Sequence, residues 1–208
     1  MQYNWNSQIF LVDVRDAFFQ LDPFTNIPAS TDEGSGTLRF FGENRESVSI
    51  SKSRYNMAWI SSAYGKSVLE EISDKQVICS GTTMGDQVAI ESYLRAMINQ
   101  FDTTKCKMKG CDQGFHNYLY HKDVLNGAYG INSLILYDQG EGNVNNLGAM
   151  REKPLTEWGV FDKEKGLVLN SDGTSSPVVH QFDRDSDLNQ FVNKKRDAFV
   201  RHWNAKKV

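Results

Sequence analysis

Short apolar runs alternate with longer amphipathic stretches along this chain, and that alternation narrows the available folds more than any other feature. The run from Gln8 to Val12 ends in an acid, Asp13. Leu38 to Phe41, Gln76 to Cys79 and Ile131 to Tyr137 are similarly short, with the length and β-branched content of buried strands. Ser51 to Ser73 reads as a helix in two pieces broken near Gly65, with Ser51 capping the first and Ser67-Val-Leu-Glu70 forming a capping box for the second. From Met84 to Phe101 apolar residues recur at Val88, Ile90, Leu94, Met97, Ile98 and Phe101, which is helical spacing. Gln113 to Leu125 predicts another helix. Gly159 to Phe161 and Leu167 to Leu169 flank a Lys/Glu turn and predict a late hairpin. Val178 to Phe182 reads as the last strand, and Asp187 to Asn204 as a closing helix striped by Leu188, Phe191, Val192, Phe199 and Trp203. This order predicts an α/β fold with a mixed, mostly parallel central sheet flanked by helices.

The 208 residues suit one domain, 1–208, and the 39% hydrophobic content supplies a sizeable core. The formal charge is −3, which argues against a large nucleic-acid backbone footprint, because such surfaces carry a basic excess. It leaves room for a compact anion site. No apolar run is long enough to span a membrane, and the first ten residues lack the basic and apolar regions of a signal peptide. No Asn-x-Ser/Thr sequon occurs, so a cytoplasmic setting is favoured. Cys79, Cys106 and Cys111 give no disulfide framework. Cys106 and Cys111 would close a small loop in an oxidising compartment, and a zinc site would want further ligands.

The strongest chemical signal is Asp13-Val-Arg-Asp16 at the end of the first strand. Ligands of open α/β sheets bind beyond the carboxyl ends of strands. Two carboxylates there repel each other unless a cation lies between them, and hard divalent ions take carboxylate oxygens while leaving positions for phosphate. Arg15 suits pairing with an acid or a phosphate. The opposing reading makes Asp13 a turn cap and Asp16 a surface partner of Arg15. Asp112 and Gln113 open a helical stretch, where Asp112 serves either as a cap or as a general base or hydroxyl acceptor in a cleft. His116 and His121 are five apart and do not share a helix face. His180 lies in a strand-like run; it is a core residue or the imidazole that completes a carboxylate metal site. Ser80-Gly81 reads as a strand-to-helix turn presenting backbone N–H groups to a ligand. The Gly- and Asn-rich run from Asp138 to Gly148 lacks a Walker lysine and reads as a flexible loop of the kind that forms lids. Trp59, Tyr64, Tyr118 and Trp158 suit sugar stacking, although core packing is the stronger expectation.

Four motifs in order, DVRDAFFQLDPF at 13–24, CSGTTMGD at 79–86, CDQGFHN at 111–117 and VVHQFDRD at 178–185, resemble the catalytic part of GT-A-type nucleotide-sugar-dependent glycosyltransferases. The resemblance spans about residues 8 to 185. It implies a Rossmann-related, GT-A-like sheet, an Mn2+ or Mg2+ cofactor, a UDP- or GDP-linked sugar donor and a glycan or glycoprotein acceptor. It assigns the metal to Asp13, Asp16 and His180, with Arg15 as the alternative holder of the motif position. Ser80 and Gly81 would face the donor sugar. Asp112 would be the catalytic acid/base, and Asp112, Gln113, His116 and Asn117 would line the donor–acceptor cleft. The motif here is Asp-Val-Arg-Asp rather than Asp-x-Asp. Such folds place a nucleotide-binding βαβ segment ahead of this strand, whereas twelve residues precede Asp13 here, so the base and ribose are expected to be held by an N-terminal part outside this chain or in another way.

Two rival functions follow. A non-catalytic glycan-binding or assembly domain of a larger protein would share the fold without donor chemistry. A metal-dependent phosphohydrolase also places Asp pairs at strand ends, but the haloacid-dehalogenase-type pattern wants an acid and a small hydroxyl residue where Arg15 and Ala17 stand.

Overall fold

The computed structural model describes residue 4, residues 6–28 and residues 30–205. Nine strands and four α-helices are laid out among them: β1 (Gln8–Val12), β2 (Ala17–Phe19), β3 (Gly36–Gly42), α1 (Arg54–Ile72), β4 (Ile78–Asp86), α2 (Gln87–Thr104), α3 (Cys111–His121), β5 (Ile131–Tyr137), β6 (Val144–Asn146), β7 (Phe161–Asp162), β8 (Leu167–Val168), β9 (Val178–His180) and α4 (Ser186–Ala205). The main sheet has the order β1-β4-β3-β5, a second has the order β2-β9-β6, and β7 pairs with β8.

The α/β class is as expected, but the main sheet is mixed rather than mostly parallel. Its β1–β4 and β4–β3 pairs are antiparallel, and only β3–β5 is parallel. The difference arises in β4. Reading Ser80-Gly81-Thr82-Thr83 as a turn ended the strand at Cys79. The chain instead stays extended to Asp86, because β1 and β3 pair with it on either side and Thr82 and Thr83 are fully buried. Small polar residues are poor strand formers in isolation, and two flanking strands override that preference.

Both faces of β3 are covered. Leu38 and Phe40 pack with Ile90, Tyr93 and Leu119 under α2 and α3. Phe41 points the other way, joining Met84 of β4 to Val144 of β6 and Val178 of β9. That second cluster is the seam between the two sheets. A further core of Leu147, Leu155, Phe161, Val179 and Leu188 supports the second sheet.

The helices differ from expectation at their edges. Ser53, not Ser51, caps α1 by accepting the Asn56 N–H, and the kink falls at Gly65, where φ is 81°. In α2 the buried face runs through Ala89, Ile90 and Tyr93, while Leu94, Ile98 and Phe101 are exposed. In α4, Leu188 is buried and Phe191 and Val192 pack beside it, but Phe199 and Trp203 stay exposed. The run from Asp138 to Gly148 is no flexible lid: it contains β6, whose Asn145 and Asn146 are fully buried. Cys106 and Cys111 form a disulfide at the entry to α3, and Cys79 is a buried free thiol. No helix among the described residues is long and apolar enough to cross a membrane.

Candidate metal centre and cleft

Asp13 follows β1, and its N–H donates to the Gly81 carbonyl at 3.0 Å, which extends the β1–β4 ladder by one step. The chain then crosses to the second sheet, where Ala17 pairs with His180 and the Gln181 N–H donates to the Asp16 carbonyl at 2.7 Å. Asp13, Asp16 and His180 therefore converge, with one ligand atom from each lying within 4.8 Å of the others. His180 Nε2 stands 3.5 Å from Asp13 Oδ2 and 3.6 Å from Asp16 Oδ1. These gaps exceed a hydrogen bond. Neighbouring ligands of an octahedral ion with ~2.1 Å bonds lie roughly 3 Å apart, so a small inward movement suffices for coordination.

The imidazole is oriented by its other nitrogen. Asn146 donates through Nδ2 to the Phe41 carbonyl at 3.0 Å, so its Oδ1 faces His180 and accepts from Nδ1 at 2.9 Å. A proton on Nδ1 leaves Nε2 with its lone pair. That Nε2 is buried and has no hydrogen-bond partner among the described residues. Burial holds the His180 imidazole below its usual pKa, against the opposing charges of Asp16 and Asp13, which favours the neutral, ligating form. A basic nitrogen and two carboxylates converging on one point form a donor set for a divalent cation.

Gly81 makes this convergence possible. A Cβ there would lie 2.5 Å from Asp13 Oδ2 and 2.9 Å from His180 Cε1. Arg15 does not enter the cleft; it pairs with Asp16 Oδ2 at 3.1 Å while remaining largely exposed. Arg184 approaches the same oxygen at 3.9 Å.

A cleft of about 600 Å³ opens from Asp13, Ser80 and Gly81. Asp112 and Gln113, at the start of α3, line it. Gln113 has its amide committed: Oε1 accepts from the Ser80 N–H at 2.8 Å, and Nε2 donates to the Ile78 carbonyl at 2.6 Å. Asn117 does the same at Ile78, accepting its N–H at 3.0 Å and donating to its carbonyl at 2.9 Å. The reason lies in the ladder. β1 ends opposite Thr82, so Ile78 to Ser80 have no strand on that side, and α3 supplies amide groups in its place. Asn117 and His116 are fully buried and do not line the cleft. His116 bonds the Tyr93 hydroxyl at 2.7 Å, and burial pushes its pKa down to about 3, so it is a neutral core residue.

Several cleft residues escaped the sequence reading. Glu43, just past β3, lies on the cleft wall; burial raises its carboxyl to about 7 against the pull of Arg151 and Arg184, which line the same cleft. The strand-end argument that singled out Asp13 applies equally to Glu43. Asn146 carried no signal at all within an Asn-rich run. Of the four aromatics considered for sugar stacking, only Trp59 lines the cleft. Tyr64 and Tyr118 stack on each other at 3.8 Å, and Trp158 packs on the second core under Lys153. No family model, curated protein or solved structure matches this chain.

Proposed function

We propose that this chain is a metal-dependent glycosyltransferase that moves a sugar from a UDP- or GDP-linked donor to a hydroxyl of a glycan or glycoprotein acceptor. One observation carries the reading: two carboxylates and an unpartnered imidazole nitrogen converge behind the wall of a polar cleft, which Asp13 lines together with Arg151 and Arg184 while Asp16 and His180 lie buried beside it. Asp13, Asp16 and His180 would hold Mn2+ or Mg2+. When bound, the ion supplies charge neutralisation for the leaving nucleoside diphosphate. Arg151 and Arg184 add fixed positive charge to the same cleft. Ser80 and Gly81 bring the β4 backbone close to the donor. Asp112 accepts a hydrogen bond from a sugar hydroxyl, and Glu43 takes the acceptor proton, since a base works best with a pKa near the working pH. The Cys106–Cys111 bond favours an oxidising compartment over the cytoplasm.

The test is calorimetric titration of UDP, then GDP, with Mn2+ present and then with EDTA. Binding of either nucleotide that disappears with EDTA supports the reading. Absence of binding for both leaves a non-catalytic glycan-binding domain.

A further inference from the structure

A second group of residues in the cleft has no role in holding the ion. The loop before α1 and the first turns of that helix contribute Lys52, Arg54, Tyr55 and Trp59. Tyr55 and Trp59 are four residues apart, share one helix face and stack with ring centroids 5.8 Å apart and planes 27° from parallel. Tyr55 is 56% exposed and lines the cleft. Trp59 sits flat against Gly110, whose φ of 95° suits glycine and whose missing side chain leaves space for the indole; a Cβ there would collide with it. The result is a partly exposed aromatic pair lining a polar cleft.

Two cations border that surface. The Arg54 guanidinium lies 4.7 Å above the Tyr55 ring and donates to the Tyr55 hydroxyl at 2.8 Å. That contact orients the guanidinium and leaves most of its donors available. Among the described residues, Lys52 donates to the Glu46 carbonyl at 3.5 Å. Neither cation has a carboxylate partner among the described residues. By contrast, Arg15 and Arg184 are paired beside the triad. The cleft thus carries Arg184 beside the ion site, and Lys52 and Arg54 beside the rings.

We propose that the acceptor is a saccharide bearing a fixed negative charge, a uronate or a phosphate ester, with a sugar ring against the exposed part of Tyr55 beside Trp59 and the anion on Arg54 and Lys52. An apolar sugar face stacks on aromatic rings, and a planar guanidinium binds carboxylate or phosphate through paired donors. The role as acceptor rests on the transferase reading; the binding itself does not.

Trp59 fluorescence and calorimetry would follow three probes without nucleotide: a glucuronate-containing tetrasaccharide, glucose 6-phosphate and cellotetraose. A charged probe is expected to bind at least about tenfold more tightly than the neutral one, and comparison of the two charged probes identifies the anion. Arg54→Gln should erase that preference, and Tyr55→Ala should weaken every saccharide. Equal binding of neutral and charged probes, or a preference that survives Arg54→Gln, overturns the proposal. Mn2+-dependent UDP and GDP titrations on Arg54→Gln are expected to match the unmodified protein; a loss there would assign Arg54 to the donor and also overturn it. Charged-saccharide binding in a protein that binds neither nucleotide would sink the transferase reading while leaving this site intact.

Discussion

At the scale of single residues, Glu43 shows how burying a carboxyl on a cleft wall costs stability. Burial raises its carboxyl from 4.5 to about 7, so the folded state holds the proton more tightly than the unfolded chain does. The stability tied to that proton is fully present below pH 4.5 and is lost as pH rises through 7. Glu43→Gln removes the titration while keeping the shape. Denaturant unfolding should therefore show the variant gaining on the unmodified protein from pH 4.5 upwards, by up to about 3 kcal/mol at pH 8, with no gain at pH 4. If Glu43 is the base, the same variant transfers sugar slowly while binding nucleotide normally. A uniform stability change across pH would remove Glu43 from its desolvated position.

At the scale of elements, the decisive piece is β4, where sequence and structure part company. The acids of Asp13-Val-Arg-Asp16 were legible because they follow an apolar strand, and His180 because it lies in one. What could not be read was the path of Ser80 to Thr83, since their preference is for turns and only pairing with β1 and β3 holds them extended. The resemblance assigned Asn117 and Gln113 to the donor–acceptor cleft, and only Gln113 lines the cleft. Their amides complete the unpaired edge at Ile78 to Ser80, a need that is visible only once β1 is known to stop opposite Thr82. Asn146 was illegible for a similar reason: its task depends on a carbonyl of β3 and an imidazole of β9. Gly81 is where the strand and the site meet. Gly81→Ala would press a methyl group against Asp13 and His180. The protein should lose about 1–3 kcal/mol, as overpacked sites do, and Mn2+ affinity should fall about tenfold or more while far-UV dichroism is unchanged. Unaltered Mn2+ affinity in a folded Gly81→Ala protein would place the ion elsewhere.

At the scale of the whole molecule, the triad spans a seam. Asp13 leaves the edge strand of the main sheet, His180 belongs to the middle strand of the second, and Asp16 lies on the connection between them. Apart from that connection, the sheets meet through Phe41, Met84, Val144 and Val178 and through Asn146, which bonds the Phe41 carbonyl and the Thr82 hydroxyl. An ion bound by all three residues would tie the two sheets together and would bind the folded chain alone, because the unfolded chain does not bring the ligands together. Linkage then sets the size of the effect. Mn2+ at a hundredfold excess over its dissociation constant stabilises by about 2.7 kcal/mol, which for a chain of this length raises Tm by roughly 5–10 °C. EDTA should reverse the rise. His180→Ala should abolish it, because one bridging ligand comes from β9, whereas a variant of exposed Asp112, outside the triad, should keep it. An equal rise in His180→Ala would mean that the cation binds surface carboxylates, and the two sheets would then be joined without an ion, by the apolar seam and the hydrogen bonds of Asn146.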